Sequence, residues 1–114
     1  MSDCLFCKIV QKEIPGEIVF EDQEILAFKD INPVAPVHIL IIPKKHITSL
    51  NEIDNADEVL VGRMLGVITK LALDFGVAES GYRVVTNIGE NGGQVIKHLH
   101  FHLIGGRELG SKLC

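Results

Sequence analysis

A chain of 114 residues has the size of one folded domain, and we predict a single domain over residues 1–114. With 46% hydrophobic and 23% charged residues, its composition is that of a globular protein rather than a disordered one. The net charge of −4 argues against a nucleic-acid partner, because binding to a phosphate backbone usually requires a basic face. A mononucleotide needs only a few well-placed donors, so nucleotide ligands are still compatible with this charge.

Three features of the sequence concern the compartment. The first residues lack a basic segment followed by an apolar stretch, so we see no secretion signal. The longest apolar run, residues 39–42, is too short to cross a bilayer. An odd number of cysteines, three, favours a reducing environment. We therefore predict a cytoplasmic protein with no membrane partner.

The first half of the chain predicts a short helix and three strands. Residues 5–10 suit a helical turn, and Ile-Pro-Gly at residues 14–16 would interrupt it. Segments rich in β-branched and aromatic residues then predict three strands, with a tight turn at residues 22–23 and a stop at Pro43: residues 17–21, 25–28 and 38–42.

The second half predicts one long helix followed by two strands, at residues 82–86 and 98–104. Asn55 can cap the helix and Glu58 lies where a capping-box acid belongs, while Gly76 suits the end. Between them, apolar residues recur at helical spacing: Leu60, Met64, Val67, Ile68, Leu71 and Phe75. The order of elements predicts an α+β fold, a mainly antiparallel five-stranded sheet with one long helix and a short N-terminal helix.

Two glycines, Gly62 and Gly66, lie inside the predicted long helix. Each costs up to about 1 kcal/mol relative to alanine. They are either tolerated surface glycines or positions where another backbone, such as that of a second subunit, approaches closely. The residues alone leave both explanations open.

Three of the five histidines fall within five residues, at His98, His100 and His102. Successive side chains of a strand point to opposite faces, so we expect these three imidazoles to share one face. Residues i and i+2 lie about 6.6 Å apart along a strand, so neighbouring imidazoles can reach one ligand. The alternate positions would face the core: Leu99, Phe101 and Leu103. Threonine, lysine or glutamate would serve a polar face equally well, so the pattern favours a functional site.

Clustered imidazoles can bind a metal or act in covalent catalysis, where one attacks and another handles the proton of the leaving group. The preceding segment, residues 87–95, is rich in glycine and lies between two predicted strands. Glycines allow a tight turn that presents amide groups to an anion. Alone this segment would be an ordinary flexible loop, but beside clustered histidines it favours phosphoryl or nucleotidyl transfer.

The pattern His98-x-His100-x-His102, followed by two apolar residues, resembles the motif of the histidine triad (HIT) family. Three further stretches are similar to its nucleotide-binding Hint branch: residues 38–46, 87–94 and 105–107. The similarity runs from about Leu5 to Leu109. It implies a HIT-like fold and a homodimer joined through the long helix and the strand at residues 82–86.

The resemblance also implies roles for three histidines. His100 matches the nucleophile, which forms a nucleotidyl-histidine intermediate. His102 matches the residue that contacts the phosphate and the leaving group, and His38 matches a supporting histidine. Because the third triad position is His rather than the Gln of the uridylyltransferase relatives, the resemblance favours hydrolysis over transfer.

Further residues match the family's substrate contacts. Asp30 corresponds to a carboxylate that hydrogen-bonds the ribose hydroxyls. The residues matching the apolar base pocket are Leu5, Phe6 and Ile31, and those matching the phosphate side are Asn87, Gly93, Gln94 and Val95. Val95 departs from the pattern, since many relatives carry a serine there, so its hydroxyl contact is lost and its backbone N–H is left to contact phosphate.

The predicted function is hydrolysis of a purine nucleoside phosphoramidate, with a purine nucleotide (AMP, GMP or their amidates) as ligand and no cofactor required for catalysis. Within the family, a dinucleoside polyphosphate hydrolase is the alternative. A non-catalytic nucleotide-binding regulator and a metal-dependent hydrolase with all three triad histidines as ligands are alternatives from other classes.

Cys4 and Cys7 form a C-x-x-C pair. They could be two half-buried thiols, whereas a redox pair would require a thioredoxin-like βαβ context that the sequence lacks. Some bacterial family members resemble this chain here and pair such cysteines with two histidines, which match His46 and His98. Two thiolates and two imidazoles suit a closed tetrahedral zinc site, so we predict a structural zinc at these four residues.

Overall fold

The structure is a computed structural model that describes residues 3–113. Its five strands form one antiparallel sheet in the order β1-β2-β3-β5-β4. This confirms the predicted α+β fold with one long and one short helix. The elements are α1 (Leu5–Val10), β1 (Ile18–Glu21), β2 (Ile25–Lys29), β3 (Val37–Pro43), a 3₁₀ turn (Leu50–Glu52), α2 (Asn55–Asp74), β4 (Tyr82–Val85) and β5 (Phe101–Gly105).

The sheet has an apolar cluster on each face, because its central strands alternate between two buried sides. The larger cluster joins α2 to one face, through residues such as Met64, Ile41 and Leu103. The smaller cluster joins α1 to the other face, through Phe6 and Leu40 among others. The smaller of the two apolar cores therefore lies on the α1 face.

The capping residues of α2 differ from the predicted ones. Asp54, not Asn55, is the N-cap, and Asp57 completes the capping box instead of Glu58. The Asp54 carboxylate accepts from the Asp57 amide at 2.9 Å, and the Asp57 carboxylate accepts from the Asp54 amide at 3.1 Å. The reason is that Asn55 already belongs to the helix, whereas the residue before it keeps extended geometry. Gly76, with φ +76°, ends the helix as predicted.

Four predicted strands differ from the observed ones by one residue at one or both ends. The prediction for the last strand was wrong at its start, because β5 begins at Phe101 rather than at His98. Before that point the main chain bonds to other partners, since the Leu99 amide donates to the Ile47 carbonyl at 2.6 Å. None of the described helices is long and apolar enough to cross a membrane.

Candidate active site

The pairing of β3 with β5 brings two histidines together at the centre of the sheet. His102 pairs with Leu40, and His38 pairs with Ile104, so the two imidazoles are diagonal neighbours on the α1 face. His38 Nε2 lies 3.0 Å from His102 Nδ1, which is hydrogen-bond distance. These two histidines therefore form a directly coupled pair.

The backbone beside this pair fixes where its protons lie. The Val34 amide donates to His38 Nδ1 at 3.2 Å, so Nδ1 is an acceptor and the proton of the neutral ring is on Nε2. That proton is donated to His102 Nδ1, which leaves the proton of His102 on its own Nε2. Asp30 Oδ2 lies 3.4 Å from His38 Nε2, and Asp30 Oδ1 accepts from the Asn32 amide at 2.8 Å.

A backbone carbonyl orients the ring of His100. Nδ1 of His100 lies 2.7 Å from the His98 carbonyl oxygen, which can only accept, so Nδ1 carries the proton and Nε2 keeps its lone pair. The ring packs edge-on against Phe6 and His102, with centroid distances of 4.9 and 5.1 Å. The Thr86 hydroxyl donates to the His100 carbonyl at 2.7 Å and holds the main chain. The geometry presents a lone pair on a rigid imidazole.

Burial keeps these imidazoles neutral. It lowers the pKa of His100, and it lowers the pKa of His102 to about 4, aided by the nearby rings of His100 and His38. Both rings are therefore neutral at neutral pH. Neutral imidazole is the form that acts as a nucleophile or as a proton donor and acceptor.

His98 faces a different set of partners. Its ring is fully buried, and Nε2 donates to the Pro43 carbonyl at 2.8 Å. Nδ1 lies 3.3 Å from the Cys4 sulfur and 3.5 Å from the Cys7 sulfur, and the Cys7 sulfur lies 3.2 Å from His46 Nδ1. The ligand atoms of all four residues lie within 4.8 Å of one another. The structure thus brings together the four residues of the predicted metal site.

The triad is consequently divided between two groups. Over residues 3–113, the clusters with metal-ligand geometry are the four-residue cysteine and histidine group and a second group of Asp30, His38 and His102. Neither contains all three triad histidines. The alternative of a metal hydrolase with three histidine ligands therefore has no support in this geometry.

The glycine-rich loop differs from the expected phosphate cradle. The amides of Gly93 and Gln94 donate to carbonyls of the same loop at 3.0 Å, and the Gly89 amide donates to the Gln94 side chain at 3.0 Å. The Gln94 side chain also donates to the Thr48 carbonyl at 2.6 Å, and Asn87 donates to the Gly92 carbonyl at 2.8 Å. These groups shape the loop, so a cradle built from these three amides is not what the structure shows.

The residues predicted to contact the base and phosphate differ widely in their exposure. Phe6 is buried against the histidine rings, whereas Leu5 is 41% exposed and Ile31 and Val95 are each 87% exposed. Leu5 and Val95 line one cavity of about 590 Å³ beside Cys4 and His46. Asp30, His100 and His102 are not among the residues that line this cavity.

Three contributors to the site escaped the sequence reasoning. Thr86 holds the His100 backbone, Val34 fixes His38 through its amide, and Arg107 donates to the Val34 carbonyl. Arg107 lay in a stretch that resembled the family but had no role assigned. Backbone contacts of the Val34 kind leave no signal in side-chain identity.

Comparison with known proteins agrees with this geometry. A model of the HIT domain family matches residues 11–109. The chain is 46% identical over 113 residues to a purine nucleoside phosphoramidase of Escherichia coli strain K12, covering 99% of this chain and 95% of that protein. The chain therefore belongs to the HIT domain family.

Solved structures show the same fold. A HIT family hydrolase from Legionella pneumophila Philadelphia 1 is 52% identical with a TM-score of 0.92, covering 95% of this chain and 96% of the other. A HIT family hydrolase from Clostridium thermocellum is 46% identical with a TM-score of 0.96, covering 100% of this chain and 99% of the other. These values confirm the predicted HIT-like fold.

Proposed function

We propose that this protein hydrolyses purine nucleoside phosphoramidates through a covalent nucleotidyl intermediate on His100, releasing a nucleoside monophosphate and an amine. One observation carries the proposal: the His98 carbonyl fixes the Nδ1 proton of His100 and leaves the Nε2 lone pair for attack. The similarity to a purine nucleoside phosphoramidase of Escherichia coli supports the substrate class.

In the first step, His100 Nε2 attacks phosphorus as the P–N bond breaks. The departing nitrogen takes the Nε2 proton of His102, and a solvent proton replaces it there, so the His38–His102 pair keeps the proton arrangement set by the Val34 amide. General acid assistance of this kind contributes typically about 10²–10⁴-fold in rate. The positive charge on the modified His100 ring is stabilised by the hydrogen bond from Nδ1 to the His98 carbonyl.

In the second step, water attacks the same phosphorus and the bond to Nε2 breaks. One proton of that water is released to solvent through His102 and the hydroxyl stays on phosphorus, so the two steps together consume one water and no net proton. Dividing hydrolysis in this way replaces one difficult displacement with two easier ones. In this proposal Asp30 binds the ribose hydroxyls, and Leu5, Phe6 and Ile31 contact the purine.

On the phosphate side, we assign contacts to Asn87 and Val95 together with His102. The amides of Gly93 and Gln94 already donate to carbonyls within the glycine-rich loop. These two residues would therefore act by fixing the shape of that loop. No cofactor is required for these steps.

Replacing His100 by alanine tests this mechanism. We expect turnover of an adenosine phosphoramidate to fall by roughly 10⁴-fold or more, because the attacking atom is removed, while binding of AMP is retained. Acid quenching of the wild-type reaction should trap an acid-labile nucleotide adduct, and mass spectrometry should locate it on the peptide that carries His100.

The matched control is His102→Gln, which keeps the nucleophile. This variant should still form the adduct on His100, but more slowly with an amine leaving group. Near-normal turnover by His100→Ala, or an adduct on a different residue, would show that the mechanism is wrong.

We also propose a structural zinc bound by Cys4, Cys7, His46 and His98. The donor set fits, since two thiolates and two imidazoles are typical of closed tetrahedral zinc sites. With Zn–S near 2.3 Å and Zn–N near 2.0 Å, a tetrahedral ion separates S and N ligands by about 3.5 Å. The observed S–N separations of 3.2 to 3.5 Å are close to this value.

The orientation of His98 supports the same assignment. Its Nε2 proton is held by the Pro43 carbonyl, so Nδ1 presents a lone pair to the two sulfurs. When bound, the ion would supply a cross-link between α1 and the segment that leads into β5. It would take no part in the two chemical steps.

We expect freshly purified protein to contain one zinc per chain, measured by elemental analysis. Cys7→Ala should lose the metal and lower the melting temperature by about 5 °C or more, because a cross-link in the native state is lost, with a smaller effect on kcat. Lys8→Ala, on the same helix, should keep both metal and stability. Zinc-free wild-type protein would rule the site out.

We further propose a homodimer formed through α2 and the edge strand β4. Val59, Gly62, Gly66 and Leu73 recur at spacings that place them on one side of α2, opposite its core residues. Val59 and Leu73 are 69% and 70% exposed, and among residues 3–113 no atom beyond the chain neighbours and the nearby helix backbone lies within 4 Å of a Cβ built at either glycine. This face combines exposed apolar side chains with flat positions where a second helix can approach.

Sedimentation at micromolar concentration should show a dimer for the wild type. Gly66→Glu should shift the protein to a monomer without unfolding it, because the added side chain meets open space within the chain but carries charge into the interface. Ala56→Glu, an exposed position away from this side of α2, should remain dimeric. A monomeric wild type would contradict the proposal.

We place the protein in the cytoplasm. This assignment rests on the cysteines, because the proposed zinc site requires reduced thiolates at Cys4 and Cys7. The proposed partners are accordingly a purine nucleotide and a second copy of the chain.

A further inference from the structure

We infer that Arg107 is a positioning residue for the reaction. It holds the Val34 carbonyl, and Val34 in turn fixes the proton of His38 and, through it, that of His102. The inference rests on the proposed function, since it concerns the proton that His102 delivers to the leaving group.

The guanidinium of Arg107 donates two hydrogen bonds to one carbonyl oxygen. Nε lies 3.1 Å and Nη2 lies 3.0 Å from the Val34 oxygen, while Nη1 donates to the Glu108 carbonyl at 3.0 Å. The rigid fork of a guanidinium loses little freedom for each bond that it forms, which suits it to such a clamp. All three nitrogens of this side chain are therefore committed to backbone oxygens.

Gly106, directly before Arg107, lets the chain approach the loop of residues 30–36, whereas Gly105 allows close packing against Val77. A Cβ on Gly105 would lie 3.2 Å from the Val77 side chain, and one on Gly106 would lie 3.0 Å from the Pro36 ring. Gly106 also has φ +92°, which side-chain-bearing residues rarely adopt. Gly106 thus permits the close approach to this loop, and Arg107 makes the contact.

The backbone of Val34 depends on these hydrogen bonds for its orientation, because the packing of its side chain restrains it little. That side chain is 55% exposed, so packing contributes little to the position of the residue. Its amide nevertheless has to point at His38 Nδ1, at 3.2 Å, for the proton of His38 to stay on Nε2. Arg107 binds the carbonyl of the same residue, so it limits rotation of the backbone that carries this amide.

The consequence reaches the substrate through two imidazoles. With His38 Nε2 as donor at 3.0 Å, His102 Nδ1 accepts and the proton of His102 faces away from His38. If the Val34 amide turns away, His38 can carry its proton on Nδ1, and the arrangement of donors in the pair reverses. His102 would then present an acceptor where the departing nitrogen needs a proton.

Two adenosine substrates with different leaving groups test this inference. An alkylamine phosphoramidate needs a proton as its amine departs, whereas the 4-nitrophenyl ester of AMP releases a stable phenolate and does not. We expect Arg107→Met to lower kcat for the amidate by roughly 10- to 100-fold and to leave kcat for the ester within about twofold. Arg107→Lys, with one donor in place of two, should recover part of the loss.

The matched control is Arg83→Met. Arg83 also donates to a backbone carbonyl, that of Gly110 at 2.7 Å, and has no contact with the loop of residues 30–36 among the described hydrogen bonds. Because Arg83 lies on β4, which the proposed dimer uses, the quantity compared is the ratio of the two rates, and this variant should keep the wild-type ratio.

The inference is overturned if the Arg107→Met variant cleaves both substrates at the wild-type rate or loses kcat equally for both. It is also overturned if the ratio of its amidate and ester rates equals that of the Arg83→Met variant. A general loss of folding would lower both rates, so the ratio separates positioning from a structural effect. Failure of the proposed function would look different, because the wild type itself would then cleave neither substrate or form no adduct on His100.

Discussion

One hydrogen bond, from His100 Nδ1 to the His98 carbonyl at 2.7 Å, determines what this site can do. An imidazole has two nitrogens, and only the one without a proton can attack. By fixing the proton on Nδ1, the carbonyl leaves Nε2 as the ring nitrogen that carries a lone pair. Because the bond runs between residues two apart in sequence, it depends on how the main chain of His98 is held.

The fold holds that main chain from several sides. The imidazole of His98 is buried and bonded to Pro43 at the end of β3, and Cys4, the N-cap of α1, and Cys7, within α1, lie against its other nitrogen. The next residue, Leu99, packs into the opposite core with α2. The segment before β5 is therefore fixed without being part of the sheet, which leaves its carbonyls available for side chains.

The sheet supplies the second half of the site. Register between β3 and β5 places His38 diagonally beside His102, and backbone atoms set the direction of the hydrogen bond between them. In this respect the two halves of the site follow one rule. The protons of His100, His38 and His102 are each fixed by a main-chain group, either directly or through one other histidine.

Sequence reasoning predicted the parts of the molecule that depend on side-chain periodicity. The alternation of His98 to Leu103 and the helical spacing from Leu60 to Leu71 identified the larger core, between α2 and the sheet, and the clustered imidazoles. The boundaries of the helices and strands were harder to predict. At the start of α2, for example, Asp54 and Asn55 are both good capping residues, and local geometry decides between them. The start of β5 was missed because alternation continues through residues whose main chain has no strand partner.

The backbone contacts at the site could not be predicted from composition or spacing. Val34 acts through its amide and His98 through its carbonyl, and every residue type carries a carbonyl while all but proline carry an amide. In the loop of residues 87–94, by contrast, the sequence predicted backbone contacts that the structure does not show. Its glycines suggested donors aimed at an anion, but a buried Gln94 side chain and the turn itself use several of those donors.

The central claim, that the protons of the imidazoles are fixed in advance of substrate binding, can be measured directly. A long-range ¹H–¹⁵N correlation spectrum of the wild-type protein at neutral pH distinguishes the two neutral tautomers of each histidine and their protonated form. The account predicts that His100 carries its proton on Nδ1, whereas His38 and His102 carry theirs on Nε2. A His100 with its proton on Nε2, or one that is doubly protonated at neutral pH, would contradict it.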